Sequence, residues 1–266
     1  MTPARDATES AALNGLVRRA LDQAAFPGDV SAYVLALARM EYGAWKPDDD
    51  IYPASVIKVP IMAEAFRQRE GGAISFDDRA PISASNQTTT AAETPLVTDY
   101  VASVGELVGL MIERSDNVAT NQLIDILRRE RVTDSMRSLG LRDFLLGRKL
   151  SGSEPLIEDP EMTGRNRLCA RDAARLLTLI AADQVPGAAA QRDILAACVD
   201  ADKLVAGLRP GDLFMHKTGE TDTVNHDAGI LRTPQSARYV VVLYTRGDKS
   251  TNPRLAAWMR ALRSEL

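Results

Sequence analysis

Apolar positions change period several times along the first quarter of the chain. Between residues 8 and 25, Leu13, Leu16, Val17, Ala20, Leu21 and Ala24 recur at three- and four-residue intervals, the spacing of one helix face. Phe26-Pro27-Gly28-Asp29 ends that pattern. Val30–Arg39 is then a nearly continuous apolar run, with Met40–Lys46 as its expected hairpin partner. Together they predict two strands. Residues 47–54 form a polar loop containing two prolines. From Ser55 the helical period returns with Ile57, Ile61, Met62, Ala65 and Phe66, until Gly71-Gly72 stops it.

The middle of the chain is helical with interruptions. Residues 83–99 are rich in Ser and Thr, including Thr88-Thr89-Thr90, and predict an exposed loop. Ser103–Arg114 and Asn117–Arg129 read as helices, Ser103 and Glu106 matching a capping box. Thr133–Gly140 reads as a shorter one. Residues 141–168, with Pro155 and Pro160, show no period; so long a loop inside a compact domain is usually functional. Ala170–Ala182 and a segment within Gly187–Leu208 return to helix. Strand character follows at Asp212–Glu220, Asp227–Thr233 and Arg238–Thr245, and Thr251–Leu266 closes as a helix. Terminal helices flanking a sheet that is split in sequence by a helical insert predict a layered α+β fold. We expect one domain over residues 1–266, with an α/β lobe from 8–54 and 209–266 and a helical lobe from 55–208.

Composition narrows the function classes. The 266 residues suffice for a large core, and 45% are apolar. The net charge of −4 and the scattered Lys and Arg give no reason to expect a nucleic-acid or membrane partner. The two cysteines, Cys169 and Cys198, cannot make a disulfide scaffold and read as buried thiols. Residues 1–7 read as a frayed end without an export signal. A cytoplasmic location is expected, or a periplasmic or secreted one if a leader has been removed. Oligomeric state is not legible, and no cofactor or metal is expected: two histidines, His216 and His226, have no recognisable ligand spacing.

Three short motifs carry the candidate chemistry: Ser55-Val56-Ile57-Lys58, Ser115-Asp116-Asn117 and Lys217-Thr218-Gly219. At a helix start, residues three apart share a face, so the Lys58 amine reaches toward the Ser55 hydroxyl. A serine alcohol needs an adjacent base, and a lysine serves where a dry site with other cations lowers its pKa. Lys217 would be such a cation. Each motif alone is ordinary: a cap with a solvated lysine, a loop, a strand end. Their order and setting make them specific.

The set resembles that of class A β-lactamases and related penicillin-recognising serine hydrolases. Tyr52–Pro60 looks like that family's nucleophile helix start, Ser115–Asn121 like its second motif with the helix that follows, and His216–Gly219 with Val240–Thr245 like its closing strands. The likeness extends over roughly residues 10–266. It implies a β-lactamase/transpeptidase-like fold: a five-stranded antiparallel sheet, the terminal helices on one face and an all-helical lobe opposite. It also implies roles. Ser55 attacks the carbonyl, Lys58 takes part in its deprotonation, and Ser115 relays a proton to the leaving nitrogen. Asn117 bonds a substrate amide, and Lys217 and Thr218 bind its carboxylate. The N–H groups of Ser55 and Glu220, which follows Gly219, form the oxyanion hole. The expected partner is a small molecule, a β-lactam or a related amide or ester, with antibiotic resistance and penicillin binding as the associated roles.

Two departures stand out. The family's loop glutamate, followed four residues later by asparagine, holds the deacylating water. Here Glu154, Glu158 and Glu161 are followed at that spacing by Glu158, Met162 and Arg165. Glu154 is nearest the expected place. Where many β-lactamases use an arginine for the carboxylate, counting along the strand reaches Asp227. Two alternatives therefore stand beside β-lactam hydrolysis: a D-amino-acid peptidase or esterase on the same fold, and a penicillin-binding sensor that acylates without turnover. A Ser-His-Asp site using His226-Asp227 is disfavoured, because no Gly-x-Ser-x-Gly elbow is present. His216 reads as structural, since alternation turns it away from the face that Lys217 occupies.

Overall fold

A computed structural model describes residues 7–88, 94–152 and 156–266. The expected frayed end (1–6), the centre of the Thr-rich stretch (89–93, with Thr89 and Thr90), and Glu154 with Pro155 lie outside the described residues. The chain runs β1 (Thr8–Glu9), α1 (Ala11–Ala24), β2 (Val30–Ala36), β3 (Glu41–Trp45), a 3-10 turn (Ala54–Ile57), α2 (Lys58–Glu70), β4 (Arg79–Pro81), β5 (Val101–Ser103), α3 (Val104–Glu113) and α4 (Asn117–Leu127). It continues through α5 (Arg129–Ser138), α6 (Ala170–Ala181), α7 (Ala188–Ala196), β6 (Leu213–Glu220), β7 (Val224–Arg232), β8 (Arg238–Arg246) and α8 (Asn252–Glu265).

The main sheet has six strands in the order β1-β3-β2-β8-β7-β6. Five of them are antiparallel neighbours, as expected. The sixth, β1, adds two residues parallel to β3, Thr8 opposite Glu41 and Glu9 opposite Tyr42. A two-residue strand is too short to leave an alternating pattern. Strand alternation sends Tyr33 and Leu35 of β2, and Val240, Val242 and Tyr244 of β8, into the core beneath α2–α7. Their neighbours Ala32, Val34, Val241 and Leu243 enter a second core with α1 and α8. Both faces are covered, so these strands read as continuous apolar runs.

Local chemistry sets most helix ends. Ser10 caps α1, and Ser103 Oγ accepts from Glu106 N at 3.1 Å. The Glu106 carboxylate accepts from Tyr100 Oη at 2.9 Å, so only half of the predicted box is used as such. The helix expected over 117–129 ends two residues early, at Leu127. Arg128 adopts φ 68°, ends α4 and starts α5, four residues before the predicted start of the next helix. The segment expected as an exposed loop, 83–99, is anchored: β4 and β5 pair on either side of it, and within it Asn86 and Leu96 are fully buried. Asn86 Nδ2 donates to Gln122 Oε1 and Asp125 Oδ2.

The loop 141–168 has no helix among its described residues, yet its backbone is satisfied from within. Leu145 bridges Arg167, and Asn166 Oδ1 accepts from Gly147 N and Arg148 N at 2.8 and 2.9 Å. Asn121 clamps Leu150 from both sides, Leu150 N to Oδ1 at 2.8 Å and Nδ2 to Leu150 O at 2.9 Å. At its centre Arg129 and Asp159, both nearly inaccessible, form a bidentate pair at 2.7 and 3.0 Å, and Lys149 N also donates to Asp159 at 2.7 Å. Burial opposes the Asp159 charge, but Arg129 and Lys149 N–H outweigh it and hold the carboxyl below its usual range.

Removing one partner of such a pair leaves an uncompensated buried charge. Asp159→Ala is expected to lower the unfolding free energy by about 3–5 kcal/mol in urea; a loss under about 1 kcal/mol would mean the loop is held otherwise. Because the folded pKa is depressed, the contribution of the pair is present at neutral pH. It fades as pH falls through the folded value below about 4.

Candidate active site

The turn carrying Ser55 is fixed from both sides. Ala54 takes φ 46° while buried, and Val56 N bonds Pro53 O at 3.1 Å. Ser55 therefore sits in the 3-10 turn, half-buried, one step before α2 proper begins at Lys58. β6 crosses directly against this turn. A Cβ on Gly219 would lie 2.8 Å from Pro53 O and 3.2 Å from Ser55 N, so only glycine permits the approach.

Lys58 is fully buried. Its Nζ donates to Ser115 O at 2.6 Å, Ser115 Oγ at 3.0 Å and Asn117 Oδ1 at 2.7 Å. The second motif is shaped for this. Ser115 adopts φ 59° between α3 and α4, which turns its carbonyl and hydroxyl together onto the amine. Asp116 caps α4, accepting from Ala119 N at 2.9 Å, and so holds Asn117 at the helix start. Three acceptors match the three donors of an ammonium. Burial first, and the nearby Lys217 charge second, act the other way, and Lys58 lies well below the ordinary lysine range. Lys217, also fully buried, donates to Thr218 O at 3.0 Å, and burial lowers its pKa too.

A cleft of about 850 Å³ opens above these lysines. Ser55, Ser115, Asn117, Thr218, Gly219 and Glu220 line it, so the structure brings the sequence-predicted residues together, with Lys58 and Lys217 beneath. The Glu220 carboxylate is tied between Lys203 (3.0 Å) and Lys249 (2.9 Å). Sequence reasoning missed those two lysines, and Arg114 on the same rim, because no motif flags them.

Other candidates lie elsewhere. Glu154 is outside the described residues, while Glu158 and Glu161 are exposed. The loop residue clamped against α4 is the apolar Leu150. Among the described residues, the carboxylate acting on Lys58 is that of Asp116. Asp227 is not a cleft residue: it is buried against His216, 2.8 Å from Nδ1. His226 does not pair with Asp227; its Nε2 meets Tyr52 O at 2.8 Å, and burial pushes its pKa down to about 4. Among the described residues no group of three or more His, Cys, Asp and Glu is placed to hold a metal, and no helix is long and apolar enough to cross a membrane.

The sequence model of a family described as the beta-lactamase enzyme family matches residues 12–265. A beta-lactamase from Sphaerobacter thermophilus DSM 20745 is similar in structure, with TM-score 0.81, 25% identity, and 93% of this chain and 95% of that chain covered. PBP-A is similar in fold, with TM-score 0.85, 23% identity and 98% of both chains covered. So is a leucine-to-glutamate mutant of PBP-A solved as its acyl-enzyme complex with penicillin G, with TM-score 0.84, 23% identity and the same coverage. No curated protein sequence matches.

The pairing of two buried amines is testable directly. With ¹³C-labelled lysine, one resonance, assigned by Lys58→Met, is expected to titrate well below the others. Lys217→Ala is expected to move it upward, because a neighbouring positive charge is removed. An unmoved resonance would mean that the two ammonium groups do not sense each other.

Proposed function

The chain belongs to the beta-lactamase enzyme family, and from that premise we propose that it is a serine hydrolase that becomes acylated at Ser55 by β-lactams or a related amide or ester and releases the product slowly. The observation that carries this reading is the Lys58 amine, buried, depressed in pKa and held on Ser115 and Asn117 one helical turn from Ser55.

In this mechanism a neutral Lys58 accepts the Ser55 proton as Oγ attacks the carbonyl carbon. The Ser55 and Glu220 N–H groups stabilise the oxyanion, at the place where Gly219 lets β6 approach the turn. Ser115, bonded to Lys58, returns the proton to the leaving nitrogen. Asn117 holds the substrate amide, and Lys217 with Thr218 its carboxylate. Of the other cations at the rim, Lys203 and Lys249 are paired with Glu220, which leaves Arg114 to supplement Lys217 where the family's arginine is missing.

Slow release follows from the loop. Deacylation needs a base within hydrogen-bond reach of a water on the acyl carbon. Among the described loop residues, Asp159 is bound to Arg129, Glu158 and Glu161 face solvent, and Leu150 occupies the position against Asn121. This favours an acyl trap, close to the sensor alternative, over rapid turnover. The penicillin G acyl-enzyme of the PBP-A mutant agrees with a β-lactam as the acylating class.

Nitrocefin kinetics with intact mass tests both halves. A burst of about one equivalent, a slow phase and a persistent penicillin G adduct are expected. Ser55→Ala is expected to remove the adduct and lower the acylation rate by about three orders of magnitude or more. Adduct formation in Ser55→Ala would reject the nucleophile; rapid turnover without a burst would reject the slow release.

A further inference from the structure

Glu220 offers the cleft a carboxylate as well as an N–H. It ends β6, the edge strand of the sheet, directly after Lys217-Thr218-Gly219. Alternation places its side chain on the same face of the strand as that of Thr218, two residues earlier. The carboxylate is shared: Oε2 lies 3.0 Å from Lys203 Nζ, and Oε1 lies 2.9 Å from Lys249 Nζ. Lys203 is 1% exposed, and its backbone is pinned where Leu204 N donates to Asp227 Oδ2 at 3.1 Å. Among the described residues its Nζ makes no well-aligned hydrogen bond. Its charge is met by Glu220 and, at 3.7 Å, by Asp200. With Asp200, Asp202, Asp222 and Asp248 also on the wall, the cleft lining carries more acidic than basic side chains.

We propose that the Glu220 side chain determines the substrate class: it occupies the lysines that would draw in a substrate carboxylate, so the site favours amides and esters with no negative charge at the Thr218 end over free carboxylates. This selection operates on the Ser55 acylation proposed above. A carboxylate entering beside Thr218 meets a like charge two residues along the strand. An ester carbonyl or a carboxamide meets the same donors, Lys217 and Thr218, without that repulsion. Lys203 is not free to turn to a substrate, because a buried ammonium that loses its counter-ion is left uncompensated. Lys249 is mostly exposed, so its charge is screened by water and salt.

Two further features agree with this. Opposite Thr218 on β7 stands Asp227, which is buried against His216 and supplies no cation. The oxyanion hole does not require a carboxylate at position 220, since every residue but proline has the N–H. The charge of Glu220 also persists at neutral pH: burial opposes it, but Lys249 and Lys203 outweigh burial and hold the carboxyl below its usual range.

The test compares penicillin G with its methyl ester, which share the reacting ring and differ in that charge. The full chain is used at low ionic strength, where rim charges are least screened. The second-order rate of adduct formation is read by intact mass, with the adduct mapped to Ser55. The wild type is expected to take the ester at least as fast as the free acid. Glu220→Gln is expected to shift the acid-to-ester ratio toward the acid by about tenfold, the scale of removing one like charge at several ångströms. A ratio taken within each protein cancels any change in Ser55 reactivity. A wild type that takes the free acid faster, or a ratio that Glu220→Gln moves by less than about twofold, would overturn the proposal. The first of these needs no variant to fold. Adducts with both ligands at a contrary ratio would leave acylation at Ser55 standing, whereas no adduct with either would remove that premise as well.

Discussion

Everything around the cleft depends on burying one amine. Lys58 has no contact with solvent, and its three partners all come from a single turn. Burying a charge is costly unless it is paired or neutralised. Here the protein does both in part: oxygen acceptors favour the ammonium, while burial and Lys217 favour the amine. That balance holds the amine well below the ordinary lysine range, and the left-handed conformation of Ser115 and the Asp116 cap of α4 hold its acceptors in place.

The second requirement is close contact between strand and turn. Gly219 allows β6 to touch the Ser55 turn, and the sheet beneath is locked by side chains buried on both faces. The long loop closes the remaining side through Arg129–Asp159 and the Asn121 clamp on Leu150. These contacts are stiff, which suits acylation. They also bury the apolar Leu150 beside α4.

Much of this was legible because it is local. Ser55 and Lys58 are three residues apart, the second motif is contiguous, and β2 and β8 are long apolar runs. What escaped was set by long-range contacts or by unusual backbone. The break at Arg128 needs a positive φ that no sequence pattern announces. Asn86 and Leu96 are buried by their partners within a segment whose composition reads as exposed. Asp227 was read by counting along a strand, but its direction was decided by His216 across the ladder. Lys203 and Lys249 join Glu220 from distant segments. The loop glutamates were weighed by spacing and by place in the loop, which cannot foresee that Asn121 clamps the backbone of Leu150.

The central claim is that Lys58 acts as the neutral base for Ser55. The pH dependence of the second-order rate of Ser55 acylation by a fluorophosphonate, followed by intact mass, tests it most directly. The account predicts a rate that rises with pH and levels off well below the ordinary lysine value of about 10.4. A rate still climbing toward that value would contradict it, because Lys58 would then be an ordinary ammonium at neutral pH.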